Sequence, residues 1–168
     1  ELAASGLWHR VVRGRATLTG GSNEAGTKVD VFALGPIGPL VTGWQLFESA
    51  ARPWQSLQQG DGVMVNEQLA RRQGVTTGQS LTMELGSQVF ELPVLGIYPD
   101  YGRPAGEILL NTSVLPPDFI PGFQSLSISP GDLTMETVTR QLKEIWRVEE
   151  LTVRDNRAIE NLASAIFD

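Results

Sequence analysis

A short polar run, Asp100-Tyr101-Gly102-Arg103 with Glu107 just beyond it, holds the side chains best placed for acid–base chemistry. Two carboxyls flanking a scissile bond, one protonated and one ionised, are what glycoside hydrolysis requires. Asp100 and Glu107 would be that pair, with Arg103 beside them. The same residues also make a well-fixed loop: an Asp at a strand end, a Gly in the turn, and an Arg to clamp a carboxylate. Other reactive chemistry is sparse. His9 is the only histidine, and no Ser/His/Asp arrangement can be built around it. The absence of cysteine excludes disulfides, thiolate nucleophiles and Cys-based metal sites. The acidic residues are dispersed rather than gathered as a metal site needs. Gly60-Asp61-Gly62 precedes an apolar strand instead of following one, and no Gly-Lys-Ser/Thr comes after it, so a phosphate loop is excluded. No cofactor is expected.

A second group is aromatic. Trp44, Phe47 and Trp54 lie among Pro and Gly breaks. They either pack in the core or line an apolar groove for a lipid, an acyl chain or a partner protein. With Tyr101 and Arg103 they are the candidate contact residues.

The elements that must position these groups follow from hydrophobic period and turn residues. Val11 to Leu18 and Val29 to Leu34 read as two strands joined across the Gly20-Gly21-Ser22-Asn23 loop. Gly35-Pro36-Ile37-Gly38-Pro39 breaks regular structure. A short helix from Trp44, broken near Arg52 by Pro53, and then a second turn follow. Val63 to Val65 is a strand. Asn66 then caps a short helix with Leu69 and Ala70 on its buried face, Arg71-Arg72 at its end and Gly74 as the stop. Leu81, Met83 and Leu85 alternate out, Gly86-Ser87 turns, and Phe90, Leu92 and Val94 alternate back as far as Tyr98. Pro93 marks an edge or a bulge. Glu107 to Leu110 is a strand, Pro116 to Pro121 a linker, and Phe123 to Ile128 a strand with Phe123, Leu126 and Ile128 as core candidates. Asp132 caps a helix running to Trp146 whose apolar face is Met135, Val138, Leu142, Ile145 and Trp146. Leu151 to Val153 completes a β-α-β order. The fold class expected is α+β, mixed strands and helices in two lobes. A β-rich middle lobe over residues 60–118 is inserted into an outer β-α-β lobe made of 1–59 plus 119–168.

Composition narrows the function classes. The chain has 168 residues, 41% of them hydrophobic and 19% charged, enough to bury about 70% of its unfolded surface. Its net charge is −6, with Lys28 and Lys143 its only lysines. Nothing forms the basic stripe that nucleic acid demands, and an acidic surface does not adhere to anionic lipid. No apolar run approaches the roughly 18–20 residues that cross a bilayer. The chain begins at Glu1 rather than Met. It ends inside an amphipathic pattern, Ile159, Leu162, Ala163, Ile166 and Phe167, with no Gly or Pro stop. A fragment is expected, its last helix either docking on its own core or continuing as a stalk.

The stretch Gly62-Val63-Met64-Val65-Asn66-Glu67-Gln68-Leu69-Ala70, followed by Gly74 and Gly78-Gln79-Ser80-Leu81, resembles the strand, Asn-Glu-x-Leu-Ala helix and Gly-led strand of MacB-like periplasmic core domains. These belong to FtsX/LolC-type ABC transporter permeases. Tyr98 to Leu109 is similar to a stretch of FtsX-like permeases not known as catalytic, and Val153 to Asp168 looks like their lead-in to a membrane helix. The resemblance is best from Asp61 to Leu110, and the first forty residues match nothing specific. It implies a non-catalytic periplasmic domain of a bacterial inner-membrane protein, 1–168 forming a single extracytoplasmic module. A cytoplasmic ABC ATPase would be its partner, an exported lipid, lipoprotein or other substrate or an accessory protein its contact, and a homodimer its assembly. The alternative is a stand-alone envelope hydrolase or binding protein with a cleft around Asp100, Arg103 and Glu107.

Overall fold

The computed structural model describes residues 8–19, 26–99, 105–128 and 134–146. Its strands are β1 (Trp8–Thr19), β2 (Thr27–Gly35), β3 (Glu48–Ser49), β4 (Val63–Asn66), β5 (Ser80–Leu85), β6 (Gln88–Tyr98), β7 (Glu107–Asn111) and β8 (Phe123–Ile128). Its helices are α1 (Pro39–Thr42), α2 (Pro53–Gln59), α3 (Glu67–Gln73) and α4 (Met135–Trp146), with a 3-10 turn over Thr112–Val114. The class is α+β, as expected.

The strands hydrogen-bond in the order β2-β7-β4-β6-β5-β1-β8, and β2 also pairs with β1, so six of them close into a ring. β8 extends from β1 and β3 from β6. The expected hairpin of β1 and β2 is present, Leu18 opposite Thr27 and Arg10 opposite Gly35. β2–β7 and β4–β6 are parallel, while β4–β7, β5–β6 and β1–β5 are antiparallel.

Two kinds of strand sequence follow from this closure. β5 alternates: Leu81, Met83 and Leu85 point into the ring and Ser80, Thr82 and Glu84 away from it. β4 and β7 are buried along their whole length. Val63, Val65, Ile108 and Leu110 fill the ring, while Met64 and Leu109 face outward into a second cluster with Phe32, Leu34, Val41, Leu57, Leu95 and Tyr98. A strand packed on both faces carries a continuous apolar run, as Val63-Met64-Val65 and Ile108-Leu109-Leu110 do. Ile37, Trp44, Leu46 and Trp54 pack on that second cluster, so the segment between β2 and β4 covers the outside of the ring there.

Two sequence readings need correction. No helix begins at Trp44; residues 44–47 are irregular, and the chain then runs extended as β3, with Phe47 N–H and Ala50 N–H donating to the carbonyls of Ile97 and Leu95. The helical spacing of the aromatics was coincidental. Pro53 instead opens α2, where its missing N–H costs nothing, and Arg52 before it is non-helical (φ −137°, ψ 62°). Phe123 is not core: it is 56% exposed. Residues His9–Ser127 form one compact unit and Glu1–Trp8 with Ile128–Asp168 another. The expected strand at Leu151–Val153 and the terminal helical pattern lie outside the described residues, as do the side chains of the apolar face of α4.

Candidate functional site

Glu107 and Trp44 meet on the outer face of the ring, where β6 ends and β7 begins, around Tyr98. Strand register sets it up. Arg15 lies opposite Asp30, Asp30 opposite Glu107, and Asn66 opposite Tyr98, so one row of polar residues crosses five strands. The next row includes Arg13 opposite Phe32 and Phe32 opposite Leu109.

Glu107 is 5% exposed, and a carboxylate so far from water persists only when paired and hydrogen-bonded. Tyr98 Oη donates to its Oε1 at 2.8 Å and Arg13 Nη1 to its Oε2 at 3.0 Å. Its own N–H donates to Asn66 Oδ1 at 3.0 Å. The Arg13 guanidinium also lies 4.2 Å from the Phe32 ring centroid, a cation–π contact. Trp44 joins the aromatic side of the cluster, 5.1 Å from Tyr98 and 6.3 Å from Phe32 between ring centroids.

Asn66 is the node beneath. It ends β4 in extended conformation (φ −75°, ψ 160°), so its side chain caps α3 by accepting from Leu69 N–H at 3.0 Å. Its amide Nδ2 donates to the Ala105 carbonyl at 3.0 Å. One side chain therefore ties the start of α3, the start of β7 and Ala105 just before it. Gly74 closes α3 in the left-handed region (φ 63°), as its position predicts.

The nominated residues separate. Trp44 and Trp54 are half-buried against the second core cluster, and Phe47 is 61% exposed. Asp100, Tyr101 and Arg103 lie outside the described residues, between Pro99 and Ala105. Glu107, nominated as one of an acid pair, has both carboxylate oxygens engaged, by Tyr98 of β6 and Arg13 of β1. Among the described residues no group of His, Asp and Glu could hold a metal ion. His9 Nδ1 lies 3.4 Å from the Pro36 carbonyl, at the edge of hydrogen-bonding range.

Arg13, Phe32 and Tyr98 escaped sequence reasoning, although one signal was available. Glu107 opens a buried strand with three apolar residues after it, and a carboxylate at such a position persists only when paired and hydrogen-bonded. Asn111 forms a second buried amide node, donating to the Gln58 carbonyl and accepting from Ser113 N–H to cap the 3-10 turn over Thr112–Val114.

No protein-family model matches the chain, and no curated protein matches it in sequence. Solved structures do. The periplasmic region of MacB from Actinobacillus actinomycetemcomitans aligns with 94% of this chain and 75% of its own, at TM-score 0.59 and 12% identity. The extracellular domain of the noncanonic ABC-type transporter YknZ from Gram-positive bacteria aligns with 85% of this chain and 77% of its own, at TM-score 0.57 and 11% identity. A permease-protein domain from Porphyromonas gingivalis covers 84% and 69%, at TM-score 0.50 and 15% identity. This chain has the fold found in the extracytoplasmic domains of ABC-transporter permeases.

Proposed function

We propose that the chain is the extracytoplasmic module of a bacterial ABC-type permease and does no chemistry of its own. The single observation that carries the reading is a fold shared along nearly the whole chain with the MacB periplasmic region. In this reading a cytoplasmic ATPase supplies the energy, and membrane segments of the parent protein carry its motion to the ring. The ring then meets an exported substrate or an envelope partner, with two copies in the working transporter. Two features support a body that moves as a unit. The closed hydrogen-bonded ring has no edge at which to open, and Asn66, Glu107 and Arg13 tie β1, β4, β7 and α3 together. Phe47 is 61% exposed, Trp44 and Trp54 are half-buried, and these aromatics, with Tyr101 and Arg103, are the proposed contact residues.

Protease accessibility of the full-length parent protein tests this reading. Trypsin should cut within this segment in spheroplasts and leave it intact in inverted inner-membrane vesicles. Cleavage only in inverted vesicles, or recovery of the parent protein in the aqueous fraction, overturns it.

A further inference from the structure

Residues 115–122 join the 3-10 turn after β7 to β8 and are held to the ring differently from any strand in it. β5 pairs with β1 only at Thr17, Leu18 and Thr19. Residues 115–122 pass beside the next stretch of β1, where Gly122 N–H donates to the Arg13 carbonyl at 2.9 Å. Pro116, Pro117 and Pro121 leave the segment few N–H groups to give, so it is held at points. One point is Phe119, which packs on the interior cluster of the ring. Val12, Ala16 and Leu18 of β1 belong to that cluster, and Gly14, on the same side of the strand, brings no side chain to it. Phe119 takes the vacant place: a methyl at Gly14 would lie 2.5 Å from Phe119 Cζ. The other point is Asp118. Its Oδ2 accepts from Ser87 N–H at 2.8 Å, in the turn between β5 and β6. Gly86 leaves room for the carboxylate, since a methyl there would lie 2.5 Å from Oδ1. Ile120 is 86% exposed and adds nothing to the hold.

We infer that residues 117–121 form a latched strap, a lid that lifts off as a unit while the ring stays closed, with Phe119 as its plug and Asp118 as its latch. The two kinds of attachment differ in strength. β4 is laddered to β6 and β7, and β7 to β2 and β4, so each is hydrogen-bonded along both edges. The strap has an exposed latch and one plug. Segments with few backbone bonds and little buried surface open at the lowest free energy. Its ends stay in place: Pro116 is buried, and Gly122, held to Arg13, has the conformational freedom of a hinge. The socket also fits the plug. Gly14 does not have a positive φ, so its backbone would admit another residue, and its missing side chain makes room for Phe119. Lifting the strap bares the apolar interior of the ring at Gly14. The device is a property of this chain's own contacts and does not depend on the transporter reading.

The test is NMR on the ¹⁵N-labelled 168-residue chain carrying ¹³C-labelled phenylalanine rings, with the Phe119 signals assigned through Phe119→Leu. In the native chain the Phe119 ring should show contacts to the Gly14 Hα protons. Gly14→Ala should abolish them and move the Phe119 signals to solvent-exposed positions, while the amides of Val65, Met83 and Ile108 stay protected from exchange. Asp118→Ala should raise the open population about fivefold, read as relaxation dispersion at the Phe119 ring, with the same three amides still protected. Loss of protection at Val65, Met83 and Ile108 in Gly14→Ala would make the strap part of the ring's own cooperative unit and overturn the lid. A Phe119 ring still packed in Gly14→Ala, or Phe119 signals indifferent to Asp118→Ala, would overturn it as well.

Discussion

Asn66 makes three hydrogen bonds with one amide while 1% exposed. Asn66→Ala removes a helix cap and leaves the Glu107 N–H and the Ala105 carbonyl without it. A loss of about 2–4 kcal/mol is expected, the sum of a cap and an orphaned buried group, read as a lower urea midpoint. A shift under a few tenths would show that water replaces the amide at no cost. Tyr98→Phe takes one donor from the Glu107 carboxylate and should cost about 1–3 kcal/mol in the same assay. Asp118 behaves differently because it is exposed. Hydrogen bonds from Ser87, its side chain first and then its backbone N–H at 2.8 Å, hold the Asp118 carboxyl below the ordinary carboxylate range. The folded value is thus lower than the unfolded one. The contribution is complete above the unfolded value, about 3.9, and is lost as pH falls through the folded value. Amide exchange at Ser87, corrected for intrinsic rates, should show protection that falls on acidification in the native protein. In Asp118→Asn that protection should not vary with pH. Asn66 was legible in the sequence only as a cap. Its bonds to Glu107 and Ala105 join residues some forty positions apart, which no local pattern encodes.

Among the elements, β5 and the turn after it matched their sequence signals because period and turn chemistry agreed. Leu81, Met83 and Leu85 alternate with polar residues, and Gly86 takes the positive φ (57°) that a tight hairpin demands. Met83→Ala should therefore cost about 2–5 kcal/mol, and Thr82→Ala on the opposite face no more than about 0.5. Equal effects in denaturant titrations would contradict the assigned ring interior. The Trp44–Trp54 segment was misread for the converse reason. Trp44, Phe47, Ala51 and Trp54 recur at helical spacing, yet Pro53 and tertiary pairing of β3 with β6 decide the conformation. Phe123 looked like core because alternation reports a strand and not what covers its face. The parallel pairing of β2 with β7 joins distant segments, and nothing in Val29 to Leu34 names Ile108 as a neighbour.

At the scale of the whole molecule, six strands close on one another in a hydrogen-bonded ring. The resemblance carried by Asn66-Glu67-Gln68-Leu69-Ala70 and Gly74 anticipated the fold, since those residues form the β4–α3 junction that anchors β7. The ring's closure through β1 and β2 was not legible, because the first forty residues carry no distinguishing motif. Hydrogen bonding around a closed ring means that its strands should lose amide protection together. In the parent protein its motions should therefore be those of one rigid unit. The decisive measurement is pulsed electron–electron distance spectroscopy on the full-length permease with its ATPase in nanodiscs. One spin label is placed at exposed Ser125 of each of two copies. The distance between copies should change between the ATP-bound and nucleotide-free states, while a pair at Thr82 and Ser125 within one copy stays fixed. An inter-copy distance indifferent to nucleotide would contradict the account.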